Sequence, residues 1–566
     1  MRRAAVTSWL VRLGLAVGVV AIAWVAALPA IPPDPVPASS PKDAFSAARA
    51  MEELKVMARA PHPIGSAAQA RVRQHILGRA KALGLPAKVQ RRRGVKSSWW
   101  GGWSGTVKNV IVRDPGTRSS APDVLITAHF DSVPVGPGAG DDGASVAAML
   151  ETMRALKAGP PLKNDVVFLF TDGEELGWLG AKAFARRDPE MSNVGVAFAF
   201  EGWPKSGPTE MRATSPGDAW LVRQLAAASP PAWANSETNS EKDRLQHGSD
   251  FGVLASSGLL GAEFENSGKA TYQHTPKDTV EALDPAIVQD HGDTMLTLTH
   301  HFGNLNLSKA HASSEDLAFF TVSGIGLIAY PTWLARLLAI AAVILFIAVI
   351  VAARRRSRLS LVRLKWGTLA LVVVFVVGCV LAWGVWVLLL SLHPHADELS
   401  YPDFEGSTLA MAAIFAVTAA ALLFVAHILT GWIGAVELAA GSIVCLGILA
   451  LTLALIMPLS STLALWPLLG GIVSLAVVAF FRPRAWPAAL LVLASVPALV
   501  LLVPLLVLQV HQPDDGAAVG VALLLILLGG LLPQLLLIIG RLTPEVKDNN
   551  ERSESTSQEQ LIHRSV

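Results

Sequence analysis

Two hydrophobic rhythms divide the chain. Up to about residue 311 the apolar residues come in short runs broken by polar clusters. From about residue 330 they come in runs of twenty or more. In the first part, "GTVKNVIVRD", "DVLITAHF", "NDVVFLFT", "VGVAFAF" and "GLLGAEF" are compact apolar runs ending in polar residues, which predicts buried strands. Between and before them, "PKDAFSAARAMEELKVMA", "AQARVRQHILGRAKALG", "ASVAAMLETMRALKAG", "LGAKAFARR", "DAWLVRQLAAAS" and "DTMLTLTHHFGNL" have helical spacing. Strands alternating with helices predict an α/β domain over residues 42–311, a mixed and mostly parallel sheet covered by helices. In such sheets, sites form at the carboxyl ends of the strands.

The second rhythm predicts membrane spans. Seven apolar runs, at about 332–352, 367–391, 408–429, 433–457, 463–481, 486–510 and 516–540, are each long enough to cross a bilayer, which takes roughly 20 residues. They make an all-α, seven-helix membrane domain over 330–540. One more apolar run, Leu13 to Ala30, follows Arg2, Arg3 and Arg12. It exceeds the roughly 7–15-residue core of a cleaved signal, so residues 1–30 are expected to be an uncleaved anchor. "IPPDPVPASSP" (31–41) reads as an extended Pro-rich linker. The polar stretch 541–566 reads as a disordered cytoplasmic tail.

Charge orients these spans. Short cytoplasmic loops are enriched in Lys and Arg. With Arg2, Arg3 and Arg12 inside, residues 31–330 fall outside and the basic loop "RRRSRLSLVRLK" falls inside. "RPR" also falls inside, while "HPHADELSYPDFEGS" and "HQPDDG" fall outside. Eight spans satisfy every loop. The expected location is a bacterial inner membrane with the α/β domain periplasmic, or the lumenal equivalent in a eukaryote, such as a vacuole or the endoplasmic reticulum.

Composition narrows the function classes. Of the 566 residues, 52% are hydrophobic and 16% charged, against about 25% charged in ordinary soluble domains. Mean hydropathy is +0.46. A net charge of +2 without a basic stripe argues against nucleic acid as a partner. The two cysteines, Cys379 and Cys445, lie inside apolar runs and predict neither a disulfide framework nor a thiol metal site.

The candidate chemistry sits at predicted strand ends. His129 closes one strand, and a neutral imidazole is a good zinc ligand. Asp131 is close enough to orient it through the other ring nitrogen. "GPGAGDDGAS" follows, with Asp141 or Asp142 able to cap the next helix. Glu174 and Glu175 end another strand. Adjacent carboxylates repel, and a metal ion offsets that repulsion. One can bind metal while its neighbour handles the proton of a metal-bound water. Glu201 ends a third strand, and His274 lies in a loop with Thr275 and Asp278 beside it. Each fragment alone has a structural explanation: a surface pair, an N-cap, an acidic turn. Their convergence at the ends of one sheet is what points to a site.

In that order, His-x-Asp, Gly-Ala-x-Asp-Asp, Glu-Glu-x-Gly, a strand-end acid and His-Thr-x-x-Asp, the chain resembles the dizinc aminopeptidase and glutamate-carboxypeptidase family over roughly 42–305. "ARAPHPIGSAAQARVRQHI" resembles that family's N-terminal segment. One such domain followed by many spans is similar to the branch containing vacuolar membrane protease and endoplasmic-reticulum metallopeptidase. The resemblance implies a zinc metalloexopeptidase, aminopeptidase favoured, with two Zn2+ per chain and a peptide substrate. His129 and Glu201 would bind one zinc, Glu175 and His274 the other, and Asp141 both. Glu174 would activate the metal-bridging water, and Asp131 would orient His129. The chain departs from the family pattern in having Glu201 where many members have aspartate, Gln273 between Tyr272 and His274, and "DDGAS" after the glycines.

Three other readings compete. A glutaminyl-cyclase-like zinc acyltransferase would use a similar fold with one zinc. A receptor-like domain would be expected to lose ligands. A transporter with an accessory peptidase-like domain would carry intramembrane charge, for which Glu437 and His427 are the candidates.

Overall fold

The computed structural model describes residues 2–98, 101–118, 121–187, 189–202, 207–238, 248–266, 272–393, 404, 406–481, 485–511 and 516–542. The expected tail from 543 lies outside the described residues. So do most of the loop after residue 393, "RPR" and most of "HQPDDG".

The chain opens with helix α1 (Arg2–Ala27) and then α2 (Ala47–Met57) and α3 (Ala67–Ala82). A hairpin follows, β1 (Ala87–Ser98) and β2 (Gly101–Asp114), then β3 (Asp123–His129), α4 (Ser145–Ala158), β4 (Val166–Thr171), α5 (Leu179–Arg187) and β5 (Val194–Glu201). Next come β6 (Thr209–Thr214), α6 (Ala219–Ala228), β7 (Trp233–Ala234), α7 (Asp250–Ser256), β8 (Gly261–Asn266) and α8 (Pro285–Asn304). The sheet order is β1-β2-β4-β3-β5-β8-β6-β7. Its centre, β4-β3-β5-β8, is parallel, and antiparallel pairs flank it. This is the mixed α/β sheet that the alternating pattern predicts.

The central strands are legible because helices cover both faces, which makes their apolar runs nearly continuous. All seven residues of β3 and all six of β4 are buried. Phe198 and Phe302 meet edge-on at 4.8 Å, and Phe200 stacks on Phe264 at 5.3 Å. Burying each such ring stabilises the domain by about 1.5–3 kcal/mol. Helix starts are capped as their sequences suggest: Ser66 Oγ accepts from Gln69 N at 3.0 Å, and Asp284 Oδ1 from Ala286 N at 2.9 Å.

Four features were not in the sequence reading. Strand β1 carries Arg91–Arg92–Arg93, all exposed, so no apolar alternation marks it. Strand β6, TEMRAT, is mostly polar, and helix α7 is only seven residues long. The segment between the two expected domains is a second sheet, the hairpin β9 (Leu317–Val322) and β10 (Gly326–Pro331). This hairpin leads straight into the membrane helices and joins the two halves of the chain. Tyr330 Oη accepts from Trp466 Nε1 at 3.1 Å, and Phe320 meets the same indole at 5.8 Å. Beside it, Ser236 Oγ donates to Leu459 O at 2.8 Å.

The membrane helices are α9 (Thr332–Arg355), α10 (Leu361–Leu392), α11 (Ser407–Trp432), α12 (Ala435–Ile456), α13 (Thr462–Phe480), α14 (Ala485–His511), α15 (Ala517–Gly530) and α16 (Leu532–Ile538). Among the described residues, seven helices, the N-terminal one included, are long and apolar enough to cross a membrane. The run 516–540, expected as one span, forms two helices bent by 69°, and an eighth crossing exists only if the bent pair forms one span. The break has a local cause. Pro533 has no N–H to give the Gly529 carbonyl, and its ring crowds that turn, so the helix ends there and restarts with proline in its first turn. Helix α1 packs into the bundle, with Gly18 against Val492 of α14.

The two intramembrane candidates for transport have structural partners. Glu437 Oε1 accepts the Ser360 N–H at 3.1 Å, which secures the start of α10. The Arg541 guanidinium bonds to the ring of His427. Cys379 and Cys445 are free thiols in different helices.

Candidate metal centre

The parallel strands deliver their last residues to one place. His129 ends β3 and Glu201 ends β5. Glu174 and Glu175 sit in the turn after β4, Asp141 in the turn that leads into α4, and His274 in the loop between β8 and α8. Gly202 marks how tightly these pieces approach: a Cβ there would lie 2.0 Å from Gly140 O.

Asp141 is the centre of the arrangement. Its Oδ1 lies 3.1 Å from His129 Nε2, which is itself 3.1 Å from Glu201 Oε1. Its Oδ2 lies 3.2 Å from His274 Nε2, which is 3.0 Å from Glu175 Oε2. Two groups of three ligand-type residues result, His129–Asp141–Glu201 and Asp141–Glu175–His274, with all ligand atoms of a group within 4.8 Å of one another. Glu174 belongs to neither group, and its Oε2 is 4.0 Å from His129 Nε2. The structure thus brings together all seven residues singled out in the sequence.

Asp131 acts differently from expectation. His129 Nδ1 meets the Asp131 backbone carbonyl at 3.0 Å, while the Asp131 carboxylate is 3.7 Å away. That carboxylate instead accepts the N–H groups of Gly173 (2.8 Å) and Glu174 (3.0 Å). One residue therefore meets the imidazole Nδ1 with its main chain and holds the Glu174 turn with its side chain. Asp142 accepts the His129 N–H at 3.1 Å.

The electrostatics show how crowded the acids are. Burial pushes Glu174 well above the usual carboxylate range and raises Glu175. Burial also pushes Glu201 up to about 7. Burial opposes a charge on His129, yet Glu201, Asp131 and Asp141 together raise it well above 6.5. Hydrogen bonds to Asp141 and Glu175 push His274 up to about 10. Protons and imidazolium charges thus balance the carboxylates wherever no metal does. Buried acids are paired or coordinate metals, and Glu175 Oε1 is buried with no hydrogen-bond partner. Imidazole nitrogens and carboxylate oxygens are zinc donors, so the residues present fit zinc.

Four neighbours were not assigned roles in the sequence. His62 is buried beside Ser132, whose Oγ accepts its N–H at 2.9 Å. Asp250, at the start of α7, accepts from Thr171 Oγ1. Gln273 and Asp278 contact Asp141. Only the motif around His274 gave any signal for the last two.

Fold and donor set together define a zinc-peptidase-type α/β domain attached to a helical membrane domain. Residues 109–299 match Peptidase family M28. Endoplasmic reticulum metallopeptidase 1 of Mus musculus is 29% identical over 235 residues, which is 40% of this chain and 26% of that protein. Vacuolar membrane protease of Candida glabrata is 30% identical over 226 residues, 40% of this chain and 23% of that protein. The matched stretch spans about a quarter of the length of these curated relatives. Among solved structures, a zinc aminopeptidase from Bacillus subtilis is 18% identical and covers 48% of this chain and 98% of its own, with a TM-score of 0.37. Tannerella forsythia glutaminyl cyclase is 19% identical and covers 45% of this chain and 99% of its own, with the same TM-score.

Proposed function

We propose that this protein is a membrane-bound zinc metalloexopeptidase that removes residues from the amino end of peptides. The observation that carries the reading is Asp141, whose two oxygens face two separate His–acid pairs. His129, Glu201 and Asp141 would hold one zinc, and Glu175, His274 and Asp141 the other. Zinc there would supply Lewis acidity and the positive charge that lets the carboxylates ionise together. Asp131 fixes both His129 and the Glu174 turn, so the proton carrier and a ligand are positioned by one residue. Glu174 takes the proton of the attacking water and returns it to the leaving amine, which general acid–base catalysis requires of a group next to the reacting atoms. The choice of the amino end rests on the family resemblance.

A panel of short peptides with free or blocked ends tests this. Free-amine peptides should be cleaved stepwise, and acetylated ones should resist. Preference for a free carboxylate would reverse the direction. Cyclisation of an N-terminal glutamine without peptide cleavage would replace peptidase with the acyltransferase reading.

The same proposal places the peptidase domain on the exported side of the membrane. An alkaline-phosphatase fusion at Gly116 should be active, and a fusion at the C-terminus silent. An active C-terminal fusion would mean that α15 and α16 do not together complete a crossing.

A further inference from the structure

The two halves of the site are not built alike. His129 and Glu201 sit on strand ends, fixed by the hydrogen-bond ladders of β3 and β5. His274 sits in a loop, with φ 56°, a conformation uncommon outside glycine. Something other than the sheet must hold that loop against Asp141.

Two side chains of the same loop do so. The Asp278 carboxylate, buried at 2% exposure, accepts the Gly140 N–H at 2.6 Å through Oδ1 and the Asp141 N–H at 3.2 Å through Oδ2. Its backbone carbonyl accepts the Ala139 N–H at 3.3 Å. Three consecutive N–H groups of the Asp141 turn thus end on one residue. Gln273 Nε2 donates to Asp141 Oδ2 at 2.9 Å, the oxygen that faces His274. The loop between them is closed on itself, with Thr275 Oγ1 donating to Tyr272 O at 2.8 Å and Asp278 N to Thr275 O at 3.2 Å. Against its back, Gly136 leaves room where a Cβ would lie 2.5 Å from Thr275 O.

We infer that Gln273 and Asp278 are positioning residues for the second metal ion: Asp278 sets the main chain of Asp141, Gln273 sets its carboxylate, and the loop carries His274 to the place they define. The inference rests on the two-zinc reading of the site. A carboxylate shared by two ions must present each oxygen in a fixed direction. Among the described residues, Oδ1 is met by the strand-end His129 and Oδ2 by this loop. Outer partners that orient metal ligands are worth about 10–100-fold in metal affinity, and here that effect should fall on one ion of the two.

The test uses full-length protein in detergent, stripped of metal and titrated with zinc against a competing chelator. The parent should show two binding steps. Gln273→Met, nearly isosteric and without a donor, should keep the first step and weaken the second by about 10-fold or more. Asp278→Ala should weaken the second further. Asp278→Asn, which keeps one acceptor oxygen, should fall between Asp278→Ala and the parent. Loss of both steps in Asp278→Ala with a parent-like Gln273→Met would mark Asp278 as needed only for folding and overturn the inference. Equal weakening of both steps in Gln273→Met, or no change in either, would overturn it as well. A parent that binds fewer than two ions would bring down the two-zinc reading itself.

Discussion

Replacing Glu174 by glutamine should lower kcat by at least about 10²-fold and leave the zinc content near that of the parent. General acid–base catalysis contributes about 10²–10⁴-fold where the carrier is positioned at the reacting group. Glutamine keeps the shape of Glu174 but can neither take a proton from water nor return one. It should not cost a ligand, because Glu174 lies outside both groups of three that share Asp141. Its neighbour provides the contrast. Glu175 Oε2 is 3.0 Å from His274 Nε2, inside the second group. Glu175→Gln should therefore reduce zinc occupancy first and activity as a consequence. Steady-state kinetics and metal analysis on the two variants, done together, separate the roles. Metal lost from Glu174→Gln and kept by Glu175→Gln would reverse them.

Removing the metal should abolish peptide hydrolysis, and adding zinc back should restore it. The same treatment should lower the melting temperature of the peptidase domain. A ligand that binds only the folded state stabilises it by RT ln(1 + [L]/Kd), about 2.7 kcal/mol at one hundred times Kd. Without metal, Asp142, Glu175 and Glu201 remain packed around Asp141, and burial raises all three above the usual carboxylate range. Burial already holds Asp142 far above the usual carboxylate range. Hydrolysis that survives chelation with no bound zinc remaining would sink the mechanism.

The strands that carry the site could be read in advance because each is buried on both faces and ends abruptly in polar residues. That signal is local, and β3, β4, β5 and β8 all show it. Strand β1 gave none, since its buried positions include Gln90 and Gly94 rather than apolar side chains, and Arg91, Arg92 and Arg93 are exposed. The β9–β10 hairpin fell between two expected domains because its role is to dock against Trp466, far away in the chain. The bend at Leu531 had a local sign in Pro533, but hydropathy over 516–540 runs through it without a break.

What the sequence determined by itself was the set of ligand-type residues, the strand-end places of His129 and Glu201 and the positions of the apolar runs that form the membrane-span candidates. Periodicity and residue chemistry are properties of neighbours along the chain. What only the tertiary structure decided was which atom serves whom. His129 and Glu201 are 72 residues apart and meet at 3.1 Å. Asp131 turned out to serve His129 through its carbonyl and the Glu174 turn through its carboxylate. Gln273, a departure from the family pattern, lies 132 residues from the carboxylate it holds. A hydrogen bond is made or lost within a few tenths of an ångström, and spacing along a chain cannot fix positions to that tolerance across folded loops.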